Sequence, residues 1–510
     1  MTAPARRTLA IFASALVCGA LVAAQPAPLA GLDDFVTTGM KAWRIPGFAA
    51  AVVKDGNVVF ARGFGVRELG KPDPVDTRTL FAIGSTTKAM TAALIGMLVD
   101  EKKLEWDDPV VKHLPWFQLK DPAVTRELTV RDLLTHRGGL GGADFLWYGQ
   151  ANSAQEILRR VRLIEPEYPV RSRFVYQNVM YAAAGAVIEA VSGRSWAQMI
   201  ESRILEPLQM RDTVATAAGL SKLANVASPH YVVAGQVRVI ENASVDPVAP
   251  AGAVWSSIAD MAKWTQCLLA GGRGPDGKAL LSETTVAELF SPQAIASEGF
   301  YPTSRLTKPH WMTYGLGWFQ QDYQGRAVDF HTGSIDGMVA IHGLIRDERL
   351  GVLVLSNLDH AEFRHALMLS VFDRYAGKSD RDWGRDVLSL YEGLQRNAEA
   401  ARQKREAARV MGTSASRPLQ DYAGDYGDPL YGDVEVRLED GKLRLRYGPG
   451  FAGTLEHWHY NTFRARWAAE WRSPSLVNFV LDASGRVGAL ELMGGRFRRK
   501  PEPNASGSPQ

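Results

Sequence analysis

One stretch limits the fold more than any other: Phe81-Ala82-Ile83-Gly84-Ser85-Thr86-Thr87-Lys88, followed by the almost wholly apolar run 89–99. A helix that is apolar all round belongs in the middle of a domain, packed on every side. The rest of the chain must therefore be built around it. Ser85 and Lys88 stand three residues apart, so their side chains share one face of that helix, a turn apart. A lysine at the entrance to a buried helix needs a reason. One reason is chemical: a serine hydroxyl becomes a nucleophile when a neighbouring base takes its proton, and a desolvated lysine kept neutral can be that base. The other is a helix cap followed by a lysine that reaches solvent. Ser-x-x-Lys occurs once in this chain, and by itself it does not separate the two.

With 46% hydrophobic and 22% charged residues over 510 positions, the chain reads as globular, with room for one large and one small domain. Arg6 and Arg7 precede an apolar run from Leu9 to Val22 that ends in Ala23-Ala24. A basic start, a short apolar run and small residues describe a secretory signal over residues 1–24, cleaved after Ala24, too short to hold the mature chain in a bilayer. A periplasmic or secreted location follows as an expectation. Cys18 lies in that segment, which leaves Cys267 with no partner for an internal disulfide. Removing Arg6 and Arg7 lowers the formal charge from +3 to +1. That near-neutral balance gives no electrostatic basis for nucleic acid as a partner.

Taken in order, Asp55-Gly56 between the runs 48–53 and 58–66 predicts a β-hairpin. Residues 129–140 begin as a helix and end in a glycine-rich loop, and 151–205 read mostly helical, broken by a loop at 168–178. Ser257 and Asp260 have capping spacing at the head of a helix running to Leu269. Two apolar strands follow, 338–345 and 351–356. Strands at both ends of a mainly helical region imply one sheet fed from both chain termini. The stretch 391–409, rich in Ala, Glu, Arg, Gln and Lys, reads as a solvated linker helix. Beyond it the period changes to two: Val434, Val436 and Leu438, a turn at Asp440-Gly441, then Leu443, Leu445 and Tyr447. That pattern predicts a small antiparallel barrel or sandwich.

Two more motifs carry chemistry. Tyr176-Gln177-Asn178 is the one Tyr-x-Asn in the chain; a phenol beside a lysine relays protons, and an amide orients a carbonyl or holds the lysine. The competing reading is a half-buried tyrosine with an asparagine turn. His331-Thr332-Gly333-Ser334 precedes the 338–345 strand. A strand edge with a glycine lets a substrate approach, and the Ser334 N–H joins that of Ser85 as an oxyanion hole in this reading. A second His-x-Gly at His136-Arg137-Gly138 shows that the tripeptide alone proves little. Gly272 to Lys278 imitates a phosphate loop, but Ala279 replaces the required hydroxyl residue, which leaves a turn. His457 and His459 lack further ligands nearby and read as barrel surface, so no metal or cofactor is expected.

Together, Ser85-Thr86-Thr87-Lys88, Tyr176-Gln177-Asn178 and His331-Thr332-Gly333, in that order, resemble the three motifs of the penicillin-recognising serine hydrolases, in their class C beta-lactamase-like branch. The likeness extends to Leu133-Leu134-Thr135-His136-Arg137-Gly138-Gly139-Leu140, Tyr314-Gly315-Leu316-Gly317-Trp318 and Val354-Leu355-Ser356-Asn357. It implies an α+β, β-lactamase/transpeptidase-like fold over residues 31–376: an antiparallel sheet flanked by helices, with an all-helical subdomain. A linker helix at 377–411 then leads to a small C-terminal β-barrel at 412–500 that is similar to the lipocalin-like domain of some self-compartmentalising peptidases. By the same resemblance Ser85 is the nucleophile, Lys88 and Tyr176 are the general base pair, and Asn178, His331, Thr332, Gly333 and Ser334 bind substrate.

One departure matters. Members that act on lactams usually carry lysine where this chain has His331, a cation that binds the substrate carboxylate. A histidine is largely neutral near pH 7, which points away from strong lactam hydrolysis and toward small ester, amide or short-peptide substrates. The alternatives are a β-lactamase or penicillin-binding D-peptidase, and a binding or sensor protein that kept the fold without turnover. Substrate choice is expected in the loops 141–150 and 298–311. The C-terminal domain is expected to drive homo-oligomer formation or to cover the active site.

Overall fold

The computed structural model describes residues 27–378 and 380–501. The signal segment 1–24, with Cys18, lies outside the described residues. An eight-stranded antiparallel sheet forms the backbone of the larger part. Its strands are β1 (Gly47–Lys54), β2 (Asn57–Gly65), β3 (Ala294–Ile295), β4 (Met312–Tyr314), β5 (Phe319–Tyr323), β6 (Arg326–Ile335), β7 (Met338–Ile345) and β8 (Leu350–Ser356). In space they run 2-1-8-7-6-5-4-3. The N-terminal hairpin thus completes a sheet begun near the end of the domain, with β1 seated on β8 from Phe48 opposite Ser356 to Lys54 opposite Leu350. The hairpin turns where the sequence placed it. Asp55 and Gly56 take φ of 51° and 80°, as a turn with two left-handed residues requires.

The central strands are buried on both faces, and the period-two alternation of side chains splits them between two cores. Ala49, Ala51, Met338, Ala340, Leu353 and Leu355 face the helical side. Phe48, Ala50, Val339, Ile341, Val352 and Val354 face the opposite layer, made by helices α1 (Leu32–Trp43), α5 (Phe363–Tyr375) and α6 (Trp383–Ala407). On the helical side, α2 (Thr87–Asp100) is buried from Thr87 to Leu98. It packs against α3 (Asn178–Ser192) and the short helices Ala249–Gly252 and Glu283–Leu289. This is the wrapping its composition demanded. Helix α4 (Ile258–Leu269) lies against β1 and β8. The Ser257 hydroxyl caps it by accepting from Asp260 N at 3.2 Å.

The helix read from composition as a solvated linker differs at its start. It begins at Trp383, which is fully buried: its indole N–H donates to Asp373 Oδ2 at 2.6 Å, and Asp382 caps the helix through Arg385 N at 3.0 Å. Its first turns are therefore part of the second core, and charge dominates further on. Eight further strands, β9 (Gly424–Asp428) through β16 (Gly495–Arg499), close into a barrel in sequential order. Asp440 and Gly441 again take two positive φ values, 50° and 72°. Val434, Val436, Leu443, Leu445 and Tyr447 point into an interior that is filled with aromatic rings, including Tyr422, Tyr426, Phe463 and Phe479. His457 and His459 bond only to nearby chain among the described residues, His457 to Tyr460 O and His459 to Val410 N. No helix among the described residues is long and apolar enough to cross a membrane.

Candidate active site

Every residue from Thr79 to Leu98 is buried except Ser85. The exposure is built by the turn that precedes α2. Phe81 and Ala82 pair with Trp255 and Ser256 in a small three-stranded sheet, and Ile83 N donates to Val254 O at 3.0 Å. Gly84 then adopts φ 52°, a left-handed conformation that side chains disfavour, and a short 3₁₀ turn presents Ser85 before the α-helix begins.

Lys88 does not reach solvent; it is wholly buried. Its Nζ lies 3.0 Å from Ser85 Oγ, and donates to Asn178 Oδ1 and Ala251 O at 2.8 Å each. Among the described residues no carboxylate is hydrogen-bonded to it. Burial pushes the ammonium well below the ordinary lysine range, opposed only by the more distant Asp144 charge. The Tyr176 ring stands beside the amine, its centroid 4.8 Å from Nζ. Burial raises the phenol well above its usual range, and the neighbouring Ser85 hydroxyl works the other way. A neutral amine can accept the Ser85 proton, and a phenol that stays protonated can donate one.

His331, Thr332, Gly333 and Ser334 lie within a strand of their own, β6, rather than in a segment leading into the 338–345 strand. Strand β5 pairs with β6 only from Arg326 to Phe330, whereas β7 continues to Ile335. The second half of β6 is therefore open on one side, a local edge inside a larger sheet, and the Ser85 turn occupies that side. The approach is close enough to need glycine twice. A Cβ on Gly333 would lie 1.8 Å from Ile83 O, and one on Gly84 would lie 2.6 Å from Ser334 N. The backbone amides of Ser85 and Ser334 are brought together by this contact. Arg364, buried and paired with Glu362 through two hydrogen bonds, steadies the strand: Nη1 donates to Gly333 O at 2.6 Å and to Ser334 Oγ and Ala340 O at 3.1 Å.

His331 is buried and its pKa is pushed down to about 3, first by burial and then by the nearby Lys88. Its Nδ1–H donates to Thr332 O at 2.6 Å, so Nε2 accepts from the Tyr314 hydroxyl at 3.1 Å. The ring is neutral and supplies no cation. The Thr332 hydroxyl meets that of Tyr301 at 2.9 Å.

One residue set aside in the sequence has a place here. His136, fully buried at φ 58°, lies with its ring 4.2 Å from that of Tyr176, and its Nδ1 accepts from Gln177 N at 3.0 Å. The backbone of its loop also holds Val175 and Arg171, and buried Asp132 binds both Arg137 and Arg171. Together these contacts fix the segment that carries Tyr176 and Asn178. The available signal was the 133–140 run rather than the His-x-Gly tripeptide.

Ser85, Tyr176, Asn178, His331, Thr332 and Ser334 line one cleft of about 780 Å³. Phe145, Trp147 and Tyr148 come from one of the two expected specificity loops, and Phe300 and Tyr301 from the other. The barrel closes the remaining side with Tyr431, Met493 and Gly494. Among the described residues, no group of three or more His, Cys, Asp or Glu is arranged to hold a metal ion.

The Beta-lactamase family model matches residues 32–371, and a Domain of unknown function (DUF3471) matches 408–506. Curated relatives include the Unguisins hydrolase ungD of Aspergillus violaceofuscus (strain CBS 115571), 30% identical over 473 residues, which are 84% of this chain and 82% of that protein. Protein flp of Staphylococcus aureus (strain MW2) is 25% identical over 336 residues, 64% of this chain and 63% of that one. Among solved structures, the octameric penicillin-binding protein homologue from Pyrococcus abyssi is similar with a TM-score of 0.59 at 23% identity, covering 92% of this chain and 98% of that one. SurE gives a TM-score of 0.56 at 22% identity, over 94% and 100%. At such identities the likeness is one of fold. The family match over most of the chain, on a sheet and helical layer of this architecture, means that the chain belongs to the beta-lactamase family of serine hydrolases, with the DUF3471 domain as its C-terminal eight-stranded barrel.

Proposed function

We propose that this protein hydrolyses ester or amide bonds, short peptides included, through an acyl-enzyme on Ser85. The observation that carries the reading is the wholly buried Lys88 amine, 3.0 Å from the Ser85 hydroxyl, with no carboxylate hydrogen-bonded to it among the described residues and burial outweighing the more distant Asp144 charge. Lys88 takes the Ser85 proton as Oγ bonds to the substrate carbonyl carbon. The tetrahedral oxyanion rests on the Ser85 and Ser334 N–H groups, each such donor being worth about 3–4 kcal/mol in the transition state. On collapse the C–N or C–O bond breaks, and Tyr176 passes a proton to the leaving amine or alcohol while Lys88 returns one to Tyr176. Water then attacks the ester carbonyl with the same groups in reverse, restoring the Ser85 hydroxyl. Asn178 holds the Lys88 amine in place through its Oδ1.

A neutral His331 leaves the far wall without a charge for a substrate carboxylate, which favours esters and internal amides over lactams and C-terminal peptides. The relative named Unguisins hydrolase supports a hydrolytic activity. We also infer export to the periplasm or medium, from Arg6-Arg7 and the apolar run that follows. Treatment of wild type and Ser85→Ala with a fluorophosphonate probe, alongside p-nitrophenyl ester and cephalosporin assays, tests the reading. Labelling and ester turnover are expected in the wild type only, with cephalosporins turned over far more slowly. Equal labelling of both proteins, or a wild type that turns over no ester or amide, would reject it in favour of a binding protein.

A further inference from the structure

Phe, Tyr and Trp make up seven of the sixteen residues that line the cleft, and Asp144 is the one residue with a formal charge among the described residues that line it. Lys88 is buried beneath the floor, and Arg364 is paired with Glu362. Asp144 is exposed at the end of a short relay: Ser85 Oγ to Lys88 Nζ at 3.0 Å, Lys88 to Asn178 Oδ1 at 2.8 Å, and Asn178 Nδ2 to Asp144 Oδ1 at 3.1 Å. The Trp147 indole N–H donates to the same Oδ1 at 2.9 Å. Both structural hydrogen bonds therefore fall on one oxygen, and among the described residues no hydrogen bond occupies Oδ2. A fixed carboxylate with one free oxygen, facing a cleft walled by aromatic rings, favours a cation on the substrate twice over: by direct charge pairing and by the negative faces of the rings.

We propose that the cleft selects acyl groups bearing a protonated amine near the scissile carbonyl, an aminoacyl ester or amide, and that Asp144 is the residue that reads that charge. This rests on the acyl-enzyme reading above and adds the substrate class to it. The amine donates to Asp144 Oδ2 while the side chain of the aminoacyl group lies against Phe145, Trp147 and Tyr148. A blocked or absent amine lays an apolar acyl chain over the exposed carboxylate, which then loses water without gaining a partner.

Matched p-nitroanilides test this: phenylalanyl, N-acetylphenylalanyl and 3-phenylpropionyl, the first two in D and L forms, with wild type and Asp144→Asn. Asparagine keeps an oxygen for Asn178 and Trp147 and removes only the charge. The readout is the ratio of kcat/KM for the free amine to that for the blocked one. Any effect of Asp144 on Lys88 enters both rates and cancels. The wild-type ratio is expected to favour the free amine by roughly five- to thirtyfold, the size of a partly exposed ion pair strengthened by its rings, and to fall toward unity in Asp144→Asn. A wild-type ratio at or below one overturns the proposal, as does a preference that survives undiminished in the variant. Fluorophosphonate labelling of the same wild-type sample separates the two layers. Labelled Ser85 with no amine preference rejects only this inference, and absent labelling rejects the acyl-enzyme reading itself.

Discussion

The neutral amine proposed at Lys88 has a signature in pH. Its pKa is depressed by burial, so the base form dominates above that depressed value, and kcat/KM is expected to rise with pH along one limb placed well below the ordinary lysine range. Tyr176 is shifted the other way, so no descending limb from the phenol is expected before pH 10. Lys88→Ala should lose roughly 10²- to 10⁴-fold in kcat/KM and the limb with it, in line with removal of a general base. Tyr176→Phe should lose a similar factor while keeping the limb. A profile for Lys88→Ala that matches the wild type contradicts the assignment of the base. The pairing of Ser85 with Lys88 was legible in the sequence because the two share a helix face whatever surrounds them, and Tyr176 was reached through its motif and the family resemblance. His136 was not, because its contact with Tyr176 joins residues forty positions apart and leaves no period in the chain.

Among the elements, the contact between β6 and the Ser85 turn brings together the two amides of the proposed oxyanion site. Gly333→Ala puts a methyl group 1.8 Å from Ile83 O, so the strand must retreat from the turn. A loss of about 1–3 kcal/mol in stability is expected from such overpacking, together with a fall in kcat larger than any change in KM, because the Ser334 N–H leaves the position where charge develops. Steady-state kinetics with a small ester and a urea titration measure the two; an unaltered kcat would separate that amide from the chemistry. Sequence patterning delivered the strands here but misplaced the motif, since the apolar run 338–345 marks β7 and the mixed run 326–335 that forms β6 has no clean alternation. The two Asp-Gly hairpins and the barrel alternation were legible for the opposite reason: turn chemistry and side-chain period are written locally.

At the scale of the whole molecule, the barrel docks on the 141–150 loop. The Arg472 guanidinium stacks on Tyr148 and Phe451 at 4.6 and 4.4 Å and reaches Asp336, while Gly450 N donates to Gly149 O at 2.9 Å. The sequence reading left this domain either driving oligomer formation or covering the active site, and nothing in the sequence named Tyr431 and Met493 as the residues that reach the cleft. Replacing both Tyr431 and Met493 with alanine is expected to raise kcat/KM for long-chain p-nitrophenyl esters several-fold relative to the acetate; an unchanged ratio contradicts the barrel as a wall. Buried histidines set the acid limit. His331 and His342 are pushed down to about 3 and His365 to about 4, so below pH 6.5 the unfolded chain binds protons that the fold refuses. Each such group should remove about 1.4 kcal/mol of stability per pH unit as pH falls toward its folded value, seen as a lower thermal midpoint at pH 5 than at pH 7. An equal midpoint at both would contradict that burial. The central matter remains the bond formed at Ser85. Acid quenching during turnover of a p-nitrophenyl ester, followed by peptide mass spectrometry, locates it: the acyl group is expected on Ser85 and absent in Lys88→Ala, whereas an acyl group on another residue, or none during rapid turnover, would contradict the mechanism.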